Sequence, residues 1–594
     1  MRPDADAIVT PPNMFHHRAW LVLPLLLAPI AAQNFVRVHD NVIEKRGSVS
    51  RGRITLTSNT ASHCGTLIAA HDGLPILNRA GATVMTKGFM NPACINRSGV
   101  IAFVGDATGL RNQGVFVADS AGVRAIAMAC GQGGGSGRYG TCGDPTPIGG
   151  TFGGFFDATV FAPPINEEGD VLFLADLVNA GTTRALFLFR AGSQTIVKVA
   201  AVGDPSPLGG VFTALGPGSL DRDGQVLFLA RSTGSNQYLA DIFRWQSGTV
   251  SRFCVVGDPA PGGATVAMLG TESFGFVDGS TVFAGPVPSI NDCGQVAFRI
   301  ITNGGPVNVG VAVRSNGSDA WYLTDAMTTP VGGTYFDFQG ALINGNGQIA
   351  VFAEYMLGSG PSGGWFVGRP GAWRAALCFN DPVDGGQCIV LGFSRAPMTP
   401  LADNGDLVVW CDLDPNQTMG RVLLSAADGS LTVLARQGGP TGAVGDYGVI
   451  DGWPSMNSSG RVSISSGIWN AAWNSAYLTA VLCGPGVASS PCRSPGDSLQ
   501  IDDFGPAGAS FVLCVSTATQ TLPVPPFGTL LIGGSAPIIT LSGLVPYPGL
   551  SGPHTQQLLV PNDPTLRGLA VHFQSVAFTA TGIELTNRAT TLVD

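Results

Sequence analysis

Apolar positions along the chain fall in short runs, such as residues 171–174 and 226–229, separated by segments rich in Gly, Pro, Asn and Asp. Runs of this length, bounded by turn formers and without helical periodicity, predict buried β-strands joined by tight turns. The runs alternate only in part and are dense enough to be buried on both faces. Strands of that kind belong inside a stack of sheets.

The pattern repeats. An apolar residue, Asn or Asp, two variable residues, Gly, one variable residue and an apolar run recur seven times. Four copies span residues 95–103, 165–173, 220–228 and 290–298, and three weaker ones span 343–351, 401–409 and 456–464. Their polar residues and glycines are Asn96 and Gly99, Asn166 and Gly169, Asp221 and Gly224, Asn291 and Gly294, Asn344 and Gly347, Asp403 and Gly405, and Asn457 and Gly460. A spacing of about 60 residues marks a repeat architecture. The polar side chain is expected to bond its own backbone two residues on, and the glycine to supply the positive φ of a hairpin turn.

A second phrase, rich in Pro and Gly, precedes each copy and reads as a loop. It is clearest around Asp144, Asp204 and Asp258, each in a Gly-Asp-Pro triplet. Further strands lie between the phrases, for example residues 185–190 and 195–200, giving each unit about four strands. Such units fit propeller blades, whose radial closure protects sheet edges. The chain is therefore expected to be all-β, with a seven-bladed β-propeller over residues 33–483. Strands within residues 50–70 are expected to finish the blade begun by residues 456–482. An open β-solenoid, with shorter rungs, is the rival architecture.

Composition supports many turns and argues against long helices: 83 Gly and 41 Pro stand among 594 residues, with only 12% charged. A net charge of -9 without any basic run excludes nucleic acid as an expected partner. Residues 19–32 are apolar, follow His16-His17-Arg18 and end in small residues. This is the layout of a signal peptide over residues 1–32, cleaved after Ala32, with Met14 as an alternative start to Met1. Its two prolines and its length, short of the roughly 20 residues needed to span hydrocarbon, argue against an anchor, so no transmembrane span is expected in the mature chain.

Twelve cysteines remain after that cleavage, an even number in a chain expected to be exported. Pairs close enough in sequence to bridge a hairpin or loop are Cys130 with Cys142, Cys378 with Cys388, and Cys483 with Cys492. No C-x-x-C spacing occurs, so a zinc knuckle or thioredoxin-type site has no support.

The repeat, carried best by residues 95–103, 165–173, 220–228 and 290–298, resembles a bacterial family of secreted tandem-repeat proteins with an Asn-x-x-Gly-x-x-Ala-Phe pattern. The resemblance covers residues 60–480 and implies a propeller-like fold and export, with no stated activity. Val351, Val409 and Ile464 depart from its Phe, and Ala402-Asp403 shifts the acidic residue of the sixth copy. Residues 484–497 read as a linker, and residues 498–594 as a C-terminal β-sandwich. Within it, residues 561–574 and 585–587 look like a C-terminal module common in exported proteins of planctomycete-type bacteria.

Candidate chemistry is sparse. No histidine lies between residues 72 and 553, so the repeat region lacks the usual base for Ser-His-Asp or Cys-His catalysis. His554 and His572 could pair across the C-terminal module. Asp144, Asp204 and Asp258 recur at equivalent loop positions, as turn-capping residues would. Asp221-Arg222-Asp223-Gly224 resembles the start of a calcium loop without the glutamate that completes one, and calcium is the one cofactor suggested. Trp321, Trp365, Trp373, Trp410, Trp453, Trp469 and Trp473 concentrate in the later repeats and offer faces for sugars or proteins.

The leading expectation is a secreted, noncatalytic binding or scaffold protein of the cell surface or extracellular space, serving an extracellular protein or polysaccharide. The alternative is a glycoside hydrolase or polysaccharide lyase acting through two unassigned carboxylates. Three or more acidic residues converging at one propeller mouth would favour the enzyme. An aromatic or neutral rim would favour binding.

Overall fold

The computed structural model describes Thr55–Leu56 and residues 63–593, except 72, 86–91, 110–111, 120, 131–141, 156–161, 235–238, 276–280, 284–286, 393–400, 415–418, 442–444, 451–453, 458–460, 470–474, 483–485, 490–491, 506–507, 548–553 and 581. The expected signal peptide, Gly460, Cys483, Trp453 and Trp473 lie outside the described residues.

Seven sheets, each built around four antiparallel strands, form the blades of a β-propeller. The fifth shows the plan: Thr334–Ile343, Ile349–Leu357, Gly360–Arg369 and Ala372–Cys378 pair in succession. Its second strand is buried along most of its length, as its unbroken apolar run requires.

The seventh blade is built from both ends of the repeat region. His63–His71 pairs antiparallel with Ser475–Leu482 and becomes the outermost strand of the sheet formed by Asp446–Ile450 and Arg461–Trp469. Closure of this kind removes the open edges a linear stack would leave. Thr55–Leu56 departs from the expectation: it pairs in parallel with Ser430–Arg436, the outer strand of the sixth blade. The seventh blade's outer position is already taken by His63–His71.

The last residue of each repeat phrase explains how the blades pack. Phe103, Phe173, Phe228 and Phe298 are buried in clusters shared with the preceding blade, and Val351, Val409 and Ile464 occupy the equivalent clusters. Where Val351 replaces Phe, Tyr335, Phe338, Tyr355 and Phe366 fill the same interface. Volume is conserved across the interface, as close-packed interiors require.

The segment expected as a linker is partly strand. Gly486–Ser489 pairs with Ser498–Phe504, and Cys492–Arg493 pairs in parallel with Gly582–Val593. The C-terminal residues form a three-stranded, a six-stranded and a two-stranded sheet, with Ile501, Phe511, Leu513 and Phe573 in one shared core.

Among the described residues two disulfides are present. Cys130–Cys142 matches the expected local pair, with a Cα–Cα separation of 5.6 Å. Cys492 bonds Cys293, 199 residues away, and not Cys483. Its strand lies in the C-terminal sheet, against the turn that carries Cys293. Cys378 and Cys388 are not joined. The Cys378 thiol sits against Gly364 and meets the Tyr355 hydroxyl, whereas the Cys388 thiol meets the carbonyl of Val390 at 3.7 Å and the thiol of Cys411.

Candidate functional site: the two mouths of the propeller

In each blade the first strand runs from the Pro/Gly loop to the Asn turn, so the two phrases stand at opposite mouths. At the turn mouth the repeated side chain bonds across the whole turn. Oδ1 of Asn344 accepts from the backbone N–H of Gln348 at 2.8 Å, and the same bond, four residues on, recurs at Asn96, Asn166, Asp221, Asn291 and Asn457. Among the described residues, the expected bond two residues on is found only at Asn291, as a second, longer contact with Cys293 at 3.1 Å. The glycine causes the difference: at φ 72°, Gly347 turns the chain back and brings the later N–H to the side chain.

The amide of each Asn then reaches the next blade. Nδ2 of Asn96 donates to the carbonyl of Asn166, Asn166 to Asp221, Asn291 to Asn344, Asn344 to Ala402, and Asn457 to Asn96. These five bonds link neighbouring turns around the axis, and the third and sixth turns, with Asp221 and Ala402 in place of Asn, have no side-chain amide to donate onward. Asp403 is not the sixth turn residue: Ala402 takes the turn position, with Gly405 N–H donating to its carbonyl, and Asp403 stands one place later.

That later position was missed by pattern reading because it is variable: Arg97, Glu167, Arg222, Asp292, Gly345 and Asp403 occupy it in the first six copies. Its acids follow a rule. Glu167 accepts from Arg97 N–H at 2.9 Å, Asp403 from Gly345 N–H at 2.8 Å, and Asp292 from Arg222 N–H. Each carboxylate of an even-numbered blade caps the turn of the blade before it. Burial pushes Glu167 up to about 8, against the opposing pull of Arg97, and Asp403 up to about 6. Asp292 is also raised by burial, with Arg493 and Arg222 opposing. All three are only half-buried by accessible surface although protein surrounds them, the condition of groups lining a narrow space on the axis.

The C-terminal module sits at this mouth. Asp502, fully buried, forms an ion pair with Arg97 and also accepts from Thr555 Oγ1 at 2.7 Å. Cys492 is bonded to Cys293, next to Asp292, and Arg493 lies close enough to feel Asp292, Arg222 and Arg97. The acidic residues of the axis are therefore interleaved with arginines and lie against the module.

At the opposite mouth the recurrent aspartates are capping residues. Asp144 accepts from Met128 N–H at 2.8 Å and pairs with Arg79; Asp204 accepts from Ala201 N–H at 2.8 Å and pairs with Lys198. Asp258 and Asp381 accept likewise from the N–H groups of Val255 and Cys378. Among the described residues, the large apolar side chains that the propeller leaves well exposed lie mostly on these loops or at the adjoining strand ends, including Val211, Met327, Phe336, Met356, Val449 and Trp469, with Leu77, beside Gly122 of the first blade, an exception. Trp469 is 48% exposed and rests against Gly448 and Gly438, where a Cβ would come within 3.1 and 3.9 Å of the indole. Trp365 and Trp410 are buried, and Trp321 donates to the carbonyl of Pro261 at 2.9 Å.

A family profile described as a family of unknown function (DUF7453) matches residues 95–477. The chain belongs to that family. The match spans all seven turns, from Asn96 to Gly460, so the DUF7453 region and the ring of turns coincide. No curated protein matches the chain. Among solved structures, a protein of unknown function from Dyadobacter fermentans is similar over 54% of this chain and 93% of its own, at 11% identity and a TM-score of 0.27. The GH93 α-L-arabinofuranosidase of Fusarium graminearum in complex with arabinobiose is similar over 57% and 96%, at 12% identity and a TM-score of 0.28.

Of the residues singled out in the DUF7453 sequence, the turn residues are brought together and the histidines are not. His554 meets Phe511 edge-on and His572 bonds Thr590 at 2.9 Å, on different sheets. Both oxygens of Asp221 are engaged by Gln225, at 2.7 and 2.9 Å, so this carboxylate serves the turn. Among the described residues, no helix is long and apolar enough to cross a membrane.

Proposed function

We propose that the chain is an exported, noncatalytic binding or scaffold protein that offers the apolar-rimmed mouth of its propeller to an extracellular protein or polysaccharide. The observation that carries this reading is the contrast between the mouths. At one, each carboxylate of the axis is spent on capping a neighbouring turn and lies against the C-terminal module. At the other, aspartates cap loops while Trp469, Phe336 and Met356 face solvent. Exposed apolar surface concentrated on one face is the mark of an interaction site.

The alternative, a glycoside hydrolase or lyase, draws on Glu167, Asp292 and Asp403 converging on the axis, with Glu167 holding its proton to about pH 8 as a general acid would. It requires substrate to reach an axis that the module adjoins.

The test is retention of the full chain on a glycan array and on insoluble polysaccharides, with and without calcium, with released reducing ends assayed for every hit. Retention without release, reduced in Trp469→Ala, supports binding. Release that disappears in Glu167→Gln establishes the enzyme, and retention on immobilised extracellular protein alone assigns a protein partner.

A further inference from the structure

We propose that Cys388 and Cys411 form a further disulfide, which ties the loop entering the sixth blade to that blade's second strand. The two thiols belong to one buried cluster between the fifth and sixth blades, and both are fully enclosed. The backbone holds them together: Ile389 N–H donates to the carbonyl of Asp412 at 2.9 Å, and Val390 and Leu391 pair with Asp412 and Cys411. On its other side Cys388 is fixed by Asp381, whose carbonyl accepts the Cys388 N–H at 2.9 Å, and by Asn380 N–H donating to the Cys388 carbonyl at 2.7 Å. The Cys388 thiol is in hydrogen-bond contact with that of Cys411. Thiols already in hydrogen-bond contact are the pair between which an S–S bond can form.

Cys378 lies in the same neighbourhood but packs into the next cluster, between the fourth and fifth blades, with Tyr335 and Tyr355. It therefore sits apart from the Cys388–Cys411 pair. The reaction is a two-electron oxidation: the two S–H groups give up two protons, one S–S bond forms, and the electrons pass to a disulfide-bearing oxidant that is reduced to its dithiol. Complete burial means that this exchange takes place while the chain folds, before the cluster closes.

The chain is already cross-linked at Cys130–Cys142 and Cys293–Cys492, and this bridge lies where neither of those reaches. It pins the 381–392 loop, whose hairpin residue Asp384 also receives Arg421 and Arg436.

The experiment is peptide mapping of the full chain, produced in an oxidising compartment behind a heterologous export signal and alkylated in denaturant without reduction. Cleavage before Asp381 and Asp384 separates Cys378 from Cys388, and cleavage after Arg395 separates Cys388 from Cys411. The expected result is a cross-linked pair of peptides carrying Cys388 and Cys411, with Cys378 alkylated. Replacing Cys378 by Ala is expected to lower the count of alkylated thiols by one, and Cys411→Ala to raise it by one by exposing Cys388 to alkylation. Alkylation of both Cys388 and Cys411 in the wild-type chain, or a Cys378–Cys388 cross-link, overturns the proposal. The Cys130–Cys142 and Cys293–Cys492 peptides report separately whether the compartment oxidised the chain.

Discussion

Asn457 and Asn96 lie 361 residues apart in sequence, and Nδ2 of the first donates to the carbonyl of the second at 2.8 Å. This bond joins the last turn of the propeller to the first, as each earlier asparagine joins its own blade to the next. The ring therefore carries a hydrogen-bonded closure at the axis, in addition to the strand-level closure made by His63–His71 at the rim.

Removing one link leaves buried backbone groups without partners. In Asn344→Ala, Gln348 N–H, Gln348 Oε1 and the carbonyl of Ala402 all lose the partner that Asn344 supplies. Stability is expected to fall by about 2–4 kcal/mol, read as a shift in denaturant midpoint at constant m-value. Asn457→Ala, which breaks the closing link, is expected to cost as much. An Asn344→Ala variant as stable as the wild type would show that water replaces these bonds.

Glu167 gives the axis a pH dependence with a definite sign. Its carboxyl ionises near 4.5 in the unfolded chain and at about 8 in the folded one, so the folded state holds the proton more tightly. The stability it contributes is full below about pH 4.5 and is lost as pH rises to about 8. Asp403, raised to about 6, acts in the same direction over a lower window. Glu167→Gln mimics the protonated form. The melting temperature of the variant relative to the wild type is expected to rise between pH 5 and 8, corresponding to roughly 2–4 kcal/mol at the upper end. A difference independent of pH would mean that Glu167 is ionised throughout.

Much of this molecule is written locally, and what is not depends on geometry at a distance. Asn344 and Gly347 form their turn with four consecutive residues, so repetition alone reveals it. The phenylalanines at 103, 173, 228 and 298 repeat because the same interface recurs. By contrast, Glu167 caps a backbone N–H 70 residues earlier, a relation that exists only once seven blades have closed at a fixed radius. The Cys293–Cys492 bridge depends on where the C-terminal module docks, and proximity in sequence pointed to Cys483 instead. Trp469 is exposed while Trp365 is buried, although both end up on blade strands. What distinguishes them is which face of the strand meets the next blade and, for Trp469, the two glycines beneath it.

The ion pair of Arg97 with Asp502 and the Cys293–Cys492 bridge hold the C-terminal module on the turn mouth by independent means. Asp502→Ala strands a buried guanidinium, whose remaining acidic neighbours are Glu167 and Asp403. A loss of about 3 kcal/mol is expected. The disulfide still tethers the module in this variant, so limited proteolysis should leave it attached. Adding Cys293→Ser is expected to release it, giving a protease-sensitive site between the propeller and residue 498 that neither single variant shows. Equal sensitivity in the single and double variants would mean that the module is held by other contacts.

Trp469 offers the sharpest test of the opposite mouth, because its setting separates binding from folding. Gly448 and Gly438 leave room for the indole to lie against the backbone, and nearly half of its surface remains open to solvent. Its cross-strand partner Asp446 supplies a carboxylate beside it. An aromatic platform flanked by a carboxylate binds by ring stacking plus hydrogen bonding, whether the ligand offers a sugar ring or a protein side chain. Substituting Ala removes the platform without opening a cavity in an interface between blades. Stability is therefore expected to change by less than about 1 kcal/mol. Affinity for any ligand retained by the wild type should fall at least about tenfold, as for a central anchor of an interface. Trp469→Phe should recover part of that loss, because a smaller aromatic face remains. If Trp469→Ala binds as the wild type does while Phe336→Ala and Met356→Ala do not, the ligand sits over the fifth blade. If all three bind normally, the apolar rim is not the site of recognition and the proposed face is wrong.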